Sequence, residues 1–206
     1  MQSQWKLLLA FVILAVFLSF SVNGMWAVSY LVFAGMIFST SPFFSEILTE
    51  KGFFNLLPAR AGSRMFGRYL YGSIFILLAF LLGEMSLLVN VAITKKVPEY
   101  LLEVSLILLG AGLLFNSLQF LALSLTKIKN AQVLSLLRMA LPFAVFFGGN
   151  ALAEIFGGKM EVPEESLDNV VQFVMSHFTQ LSWMAFGVGV LVTLICSIIS
   201  AAHEMM

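Results

Sequence analysis

The sequence predicts an all-α, polytopic membrane protein with six transmembrane helices and both termini in the cytoplasm. Three observations carry that prediction. Apolar residues make up 60% of the 206 and charged residues only 11%, against roughly 25% charged in an ordinary soluble domain. The apolar residues gather into six runs near the length of about 20 that a bilayer-crossing helix needs. The basic residues are distributed unevenly between alternate connections, which sets an orientation.

The spans fall at about 6–22, 25–43, 69–93, 101–125, 133–156 and 181–202. Asn23-Gly24 is a turn signal that makes the first two a helical hairpin. The first run resembles a signal peptide in its basic start, Lys6, and apolar core. Its end, "SFSVNG", is a poor cleavage site and a second run follows at once, so the membrane helix is the preferred reading. Pro142 is a kink candidate in the fifth span. No repeat or low-complexity linker divides the chain, and residues 1–206 are treated as one transmembrane domain.

Placing the amino terminus inside puts Lys6, Lys51, Arg60, Arg64, Arg68, Lys127, Lys129 and Arg138 on the cytoplasmic side. Lys95, Lys96 and Lys159 remain outside, eight against three. The outside segment 157–180 carries Glu161, Glu164, Glu165 and Asp168. Pro163-Glu164-Glu165 suits a first helical turn, and Leu167, Val170, Val171, Val174 and Phe178 recur on one face. A short amphipathic helix on the outer membrane surface is expected there.

Several chemistries lack support. Net charge is zero, so nucleic acid has no electrostatic purchase. Cys196 is the sole cysteine, which excludes an internal disulfide and a cysteine metal cluster. His177 and His203 sit near the ends of predicted segments, far apart in sequence. There is no P-loop, no H-E-x-x-H and no G-x-S-x-G elbow. No enzyme activity, cofactor or metal is expected.

Charged groups within a bilayer are costly and therefore functional candidates. Glu84 and Glu154 lie in the outer halves of the third and fifth spans, and Glu103 at the outer start of the fourth. A proton or cation site is one reading; contact with headgroups, Lys95 or Lys96 is the plainer one. Asn90, Asn116, Gln119 and Asn150 are candidates for hydrogen bonds between helices. Gly83, Gly110, Gly112, Gly148, Gly149, Gly187 and Gly189 permit close helix approach.

The longest inside segment, 45–68, concentrates basic charge. A helix starting near Pro58 places Arg60, Arg64 and Arg68 on one face, although Gly62 weakens it by about 1 kcal/mol relative to Ala. Physically, this face serves either as a topology signal attracted to anionic lipid, or as a dock for a cytoplasmic partner. The run "LLPARAGSRMFGRYLYG" resembles a segment of ABC-2 type permeases. In that family it reads Leu-Pro, a small residue, Ser-Arg, several residues, then Lys or Arg followed by Tyr-Leu. Leu57-Pro58 and Arg68-Tyr69-Leu70 match its two ends, and the segment lies between the second and third of six spans. The family's first arginine follows the proline by three residues, where this chain has Ala61; Arg60 and Arg64 flank the position.

The resemblance implies a permease of an ATP-binding-cassette exporter in a bacterial plasma membrane. It implies a dimer with a second copy or a paralogue, and a separate cytoplasmic ATPase docked through Pro58, Arg60, Arg64 and Arg68. The missing P-loop agrees with an ATPase in trans. The alternatives are a self-contained secondary transporter or channel using Glu84 or Glu154, and a non-transport membrane protein of the assembly, immunity or sensor kind.

Overall fold

A computed structural model describes residues 24–49, 61–95, 97, 100–125, 131–156, 174 and 176–205, together with Leu9, Ile13 and Phe17. Every element among them is a helix: α1 (Gly24–Thr49), α2 (Ala61–Thr94), α3 (Leu101–Leu125), α4 (Ala131–Phe156) and α5 (Phe178–Met205). They correspond to the second through sixth predicted spans. The first span lies outside the described residues except for Leu9, Ile13 and Phe17. These are helical, spaced four apart, and more than half exposed. The expected surface helix, from Pro163 to Phe178, lies mostly outside them; of its apolar face, Phe178 is the buried first residue of α5, and Val174 packs against the same core.

Four of the helices contain stretches long and apolar enough to cross a membrane: Met25–Phe44, Gly62–Thr94, Leu101–Leu125 and Phe178–His203. The described residues therefore show four such spans where the sequence predicts six. The predicted fifth span coincides with α4, which is not among the four. The third begins eight residues before its predicted start at Tyr69, because α2 runs unbroken from Ala61 through Gly62.

Three apolar layers fix the course of the chain. Met25, Val28, Leu87, Val104, Leu108 and Phe178 form the first. Val32, Met36, Ile76, Leu109, Leu113 and Val145 form the second. Phe43, Tyr69, Phe120, Leu123 and Cys196 form the third. Residue numbers rise through the layers in α1, α3 and α5 and fall in α2, so α2 runs against the other three. In α4, Asn150 meets Ser29 while Arg138 meets Ile37 and Ser41, so α4 also runs against α1. The five helices thus alternate up and down.

Burial separates centre from rim. The apolar windows of α1 and α3 are 61% and 56% buried, those of α2 and α5 only 17% and 22%. α1 and α3 form the middle of the bundle, with α2 and α5 on one side and α4 on the other. The outward faces of α2 and α5 are almost wholly aliphatic, with Leu78, Met85, Leu88, Leu191, Ile195 and Ile198 exposed. Water would not tolerate that surface, and lipid tails suit it.

Lipid is as apolar as leucine, so helices associate through packing and small residues rather than through a hydrophobic drive. The α3–α5 seam shows this. A Cβ on Gly110 would sit 2.5 Å from the Ala185 carbonyl oxygen, and one on Gly189 would collide with the Gly110 carbonyl. Gly83 abuts Val28, Gly112 abuts Val32, and Gly149 abuts Leu108, as the close-approach reading expects. Gly148 and Gly187 face open space and take no part. Gly35, against Ala79, and Gly72, against Phe120, are close approaches that composition did not single out. The α2–α3 connection turns through Lys95 and Tyr100, both with left-handed backbones at φ 56° and 53°. Lys95 closes α2 by donating its N–H to Val91 at 2.8 Å.

Gly189→Val is expected to force α3 and α5 apart and to destabilise the protein by about 1–3 kcal/mol, the usual range for overpacking. Gly187→Ala, on the open side, is expected to leave stability unchanged or slightly raised. Denaturant titrations of the two variants in detergent check the pair.

Candidate functional site: a clamped proline turn and the basic end of the bundle

Near its carboxyl end α1 carries Ser39-Thr40-Ser41-Pro42-Phe43-Phe44. Pro42 lies inside the helix, has no N–H, and cannot donate to the carbonyl four residues earlier. The preceding hydroxyls turn back on the same stretch of backbone. Ser39 donates to the Met36 carbonyl at 2.9 Å, and Ser41 to the Ile37 carbonyl at 3.2 Å. Thr40 reaches both carbonyls at 3.1 Å. Such bonds compete with the helical ladder and bend it.

Two arginines from neighbouring helices close on this turn. Arg68 of α2, 5% exposed, lies over the Phe43 ring at 4.5 Å and donates to Met65 Sδ at 3.2 Å. Arg138 of α4, largely buried, lies over the Phe44 ring at 5.2 Å. It donates to the Ile37 carbonyl at 2.8 Å and to Ser41 Oγ. Guanidinium suits these places because it stacks on rings and hydrates weakly. Its charge is met by carbonyl dipoles and π faces.

α3 completes the circuit. Gln119 Nε2 donates to the Arg138 carbonyl at 2.5 Å, and the single hydroxyl hydrogen of Ser39 is shared between the Met36 carbonyl and Asn116 Oδ1, 2.8 Å away. Helices α1, α3 and α4 are thereby joined pairwise at one level. Toward the other end, Ser29 donates to Asn150 Oδ1 at 2.6 Å. On the α5 side, Tyr69 and Ser124 meet Ser200 at 2.8 and 3.0 Å, and Ser117 shares a hydrogen bond with Thr193 at 2.7 Å. Of the four expected interhelical roles, those of Asn116, Gln119 and Asn150 are seen; the Asn90 carbonyl accepts from Thr94 Oγ1 of its own helix at 2.8 Å.

The remaining sequence candidates are dispersed. Arg64 stands one turn before Arg68 on the same face of α2, largely buried. Pro58 and Arg60 lie outside the described residues. Glu84 and Glu103 are both toward the opposite end of the bundle from the arginines. Glu103 accepts from Thr179 at 3.0 Å. Glu84 Oε1 is buried, and the carboxyl group lies beside the Ser105 hydroxyl of α3. The described residues show no ion pair between Glu84 and Lys95. Glu154 falls in the last turn of α4. His177 opens α5 and His203 lies in its last turn, roughly 39 Å apart at 1.5 Å per residue, so they cannot share a metal. No cluster of three or more potential metal ligands occurs among the described residues. A groove of about 290 Å³ between α2, α3 and α5 is lined by Tyr69, Leu77, Leu113, Phe186, Thr193 and Ser197 among others. Tyr69, Thr193 and Ser197 spend their hydroxyls inside the bundle, so the groove presents an apolar wall.

Sequence reasoning missed the proline turn and took Arg138 as a cytoplasmic loop charge. The available signal was an arginine six residues into a predicted span, and a proline preceded by three hydroxyl residues in another.

Alternating apolar helices with buried polar links define a multi-pass membrane protein. The family follows from comparison: a model described as ABC-2 family transporter protein matches residues 1–205, and the chain belongs to that family. It is the membrane component of an ABC-type system. No curated protein and no solved structure matches the chain.

A double-mutant cycle on Ser39→Ala and Asn116→Leu is expected to give a coupling energy of about 0.6 kcal/mol, the average for interhelical hydrogen bonds in membranes. Additive single effects would mean that the 2.8 Å contact contributes nothing.

Proposed function

We propose that the chain is the permease subunit of an ATP-binding-cassette exporter in a bacterial plasma membrane. It works as a dimer with a second copy or a paralogue, and a separate cytoplasmic ATPase supplies the energy. It has six spans with both termini inside, and no catalysis of its own.

Membership of the ABC-2 transporter family supports the reading, and so does the distribution of charge. Arg64, Arg68 and Arg138 gather at the end of the bundle where α1 finishes and α2 begins. Glu84 and Glu103 lie toward the other end. This is the polarity expected of a cytoplasmic face, and the connection there carries Pro58 and Arg60. Arg68 is packed against α1 and anchors the coupling region to the bundle; Pro58 and Arg60 precede it, and Arg64, partly exposed one turn earlier, joins them at the edge that the ATPase meets. Lipid contacts cover the aliphatic rim.

Affinity purification of the tagged chain from its native membrane tests this. A P-loop ATPase is expected to co-purify. Arg60→Glu with Arg64→Glu is expected to release it while leaving the chain in the membrane. Purification with no nucleotide-binding partner would contradict the reading.

A further inference from the structure

Pro42 lies within α1 at the basic end of the bundle, where its missing N–H removes one bond of the helical ladder. The segment beyond it, Phe43 to Thr49, leads directly into the connection that carries Pro58 and Arg60. Any force delivered to that connection reaches the membrane helices through this segment and through the start of α2. The proline is also where α1 is weakest along its axis, because the ladder lacks a donor there.

The two aromatic residues immediately after the proline are each held by a different helix. Arg68 of α2 lies over Phe43, and Arg138 of α4 lies over Phe44. Arg138 also bonds to Ile37 and Ser41, on the amino-terminal side of Pro42. One guanidinium therefore touches both sides of Pro42. Gln119 of α3 bonds to the backbone of Arg138, so Arg138 following α1 moves α4 and strains its link to α3.

We propose that Pro42 is a hinge in α1 and that Arg138 is the positioning residue that carries its motion into α4, with Arg68 as the matching clamp on α2. Swinging the end of α1 about Pro42 either drags α4 through the Phe44–Arg138 contact or pulls Phe44 off the guanidinium, which its bonds to Ile37 and Ser41 hold in place. While that contact holds, the segment beyond Pro42 and α4 move together. The transmission part of this inference rests on the permease reading; the hinge and its clamp do not.

Spin-label distance measurement separates the two. With Cys196 replaced by serine, labels at Thr49 and Ala140 report the end of α1 against α4. In the isolated chain the parent protein is expected to give one narrow distance. Arg138→Gln is expected to broaden it, Arg138→Lys to retain most of the narrowness through one remaining donor, and Pro42→Ala to shift it as α1 straightens. Equal widths in parent and Arg138→Gln, with no shift in Pro42→Ala, would overturn the hinge. In the complex with its co-purified ATPase, ATP with vanadate provides the probe. In the parent, labels at Ala140 and Leu118 are expected to report movement of α4 against α3. Arg138→Gln is expected to lose that movement while the ATPase stays bound and hydrolyses ATP. Full movement in Arg138→Gln would overturn the transmission role. Failure of the parent to bind any ATPase would instead count against the permease reading, and the isolated-chain result would still decide the hinge.

Discussion

A polar group buried in an apolar bundle must find its partner inside the protein, and this constraint organises the structure. Helix α1 is the most buried of the apolar windows and carries the buried hydroxyls of Ser29, Ser39 and Thr40. Ser29, Ser39 and Ser41 each donate or accept across to another helix. These contacts run to α3 and α4, while apolar packing and the Arg68 contact hold α1 to α2. α1 is thus fastened to α2, α3 and α4, and Pro42, which lies inside the helix, falls where the fastenings are densest. Among the described residues, aromatic faces meet both arginines there, and a backbone carbonyl and a hydroxyl meet Arg138.

The other seam is different in kind. Between α3 and α5 the contact is backbone against backbone, with Gly110 and Gly189 giving the space. Dispersion attraction rises steeply with such closeness, and lipid cannot replace it. Ser117 with Thr193 and Ser124 with Ser200 add hydrogen bonds along the same seam. The bundle therefore has a tightly fitted α3–α5 pair and a polar-linked α1–α3–α4 group that share α3. Force arriving on α1 meets the polar group first.

The sequence makes the apolar helices legible because a membrane span needs only length and hydropathy. α3 starts and ends at Leu101 and Leu125, as predicted, and α1 covers the second predicted span. A helix carrying Arg64 and Arg68 on one face was legible from Pro58 onward; that it runs unbroken into the third span, with Arg68 covered by Phe43, was not. Arg138 was read as a charge of the second inside connection, and the structure puts it within α4. Asn116, Gln119 and Asn150 were legible as a type, since an amide inside a span needs a partner, but their partners on other helices were not. Close glycine contacts were legible at Gly110 and Gly189 and misassigned at Gly148 and Gly187, because facing is a property of the packed bundle rather than of the residue. The family motif at Leu57-Pro58 pointed to the right family, while the turn at Pro42 has no counterpart in that motif.

Everything assigned to the basic end depends on its facing the cytoplasm, where an ATPase can reach it. The direct measurement uses single cysteines in a Cys196→Ser background, at Ser63 near the start of α2 and at Lys95 just after its end. A membrane-impermeant thiol reagent is added to intact cells. Labelling at position 95, with position 63 protected until the cells are opened, is the predicted result. Labelling at position 63 in intact cells would place the arginines outside and contradict the account.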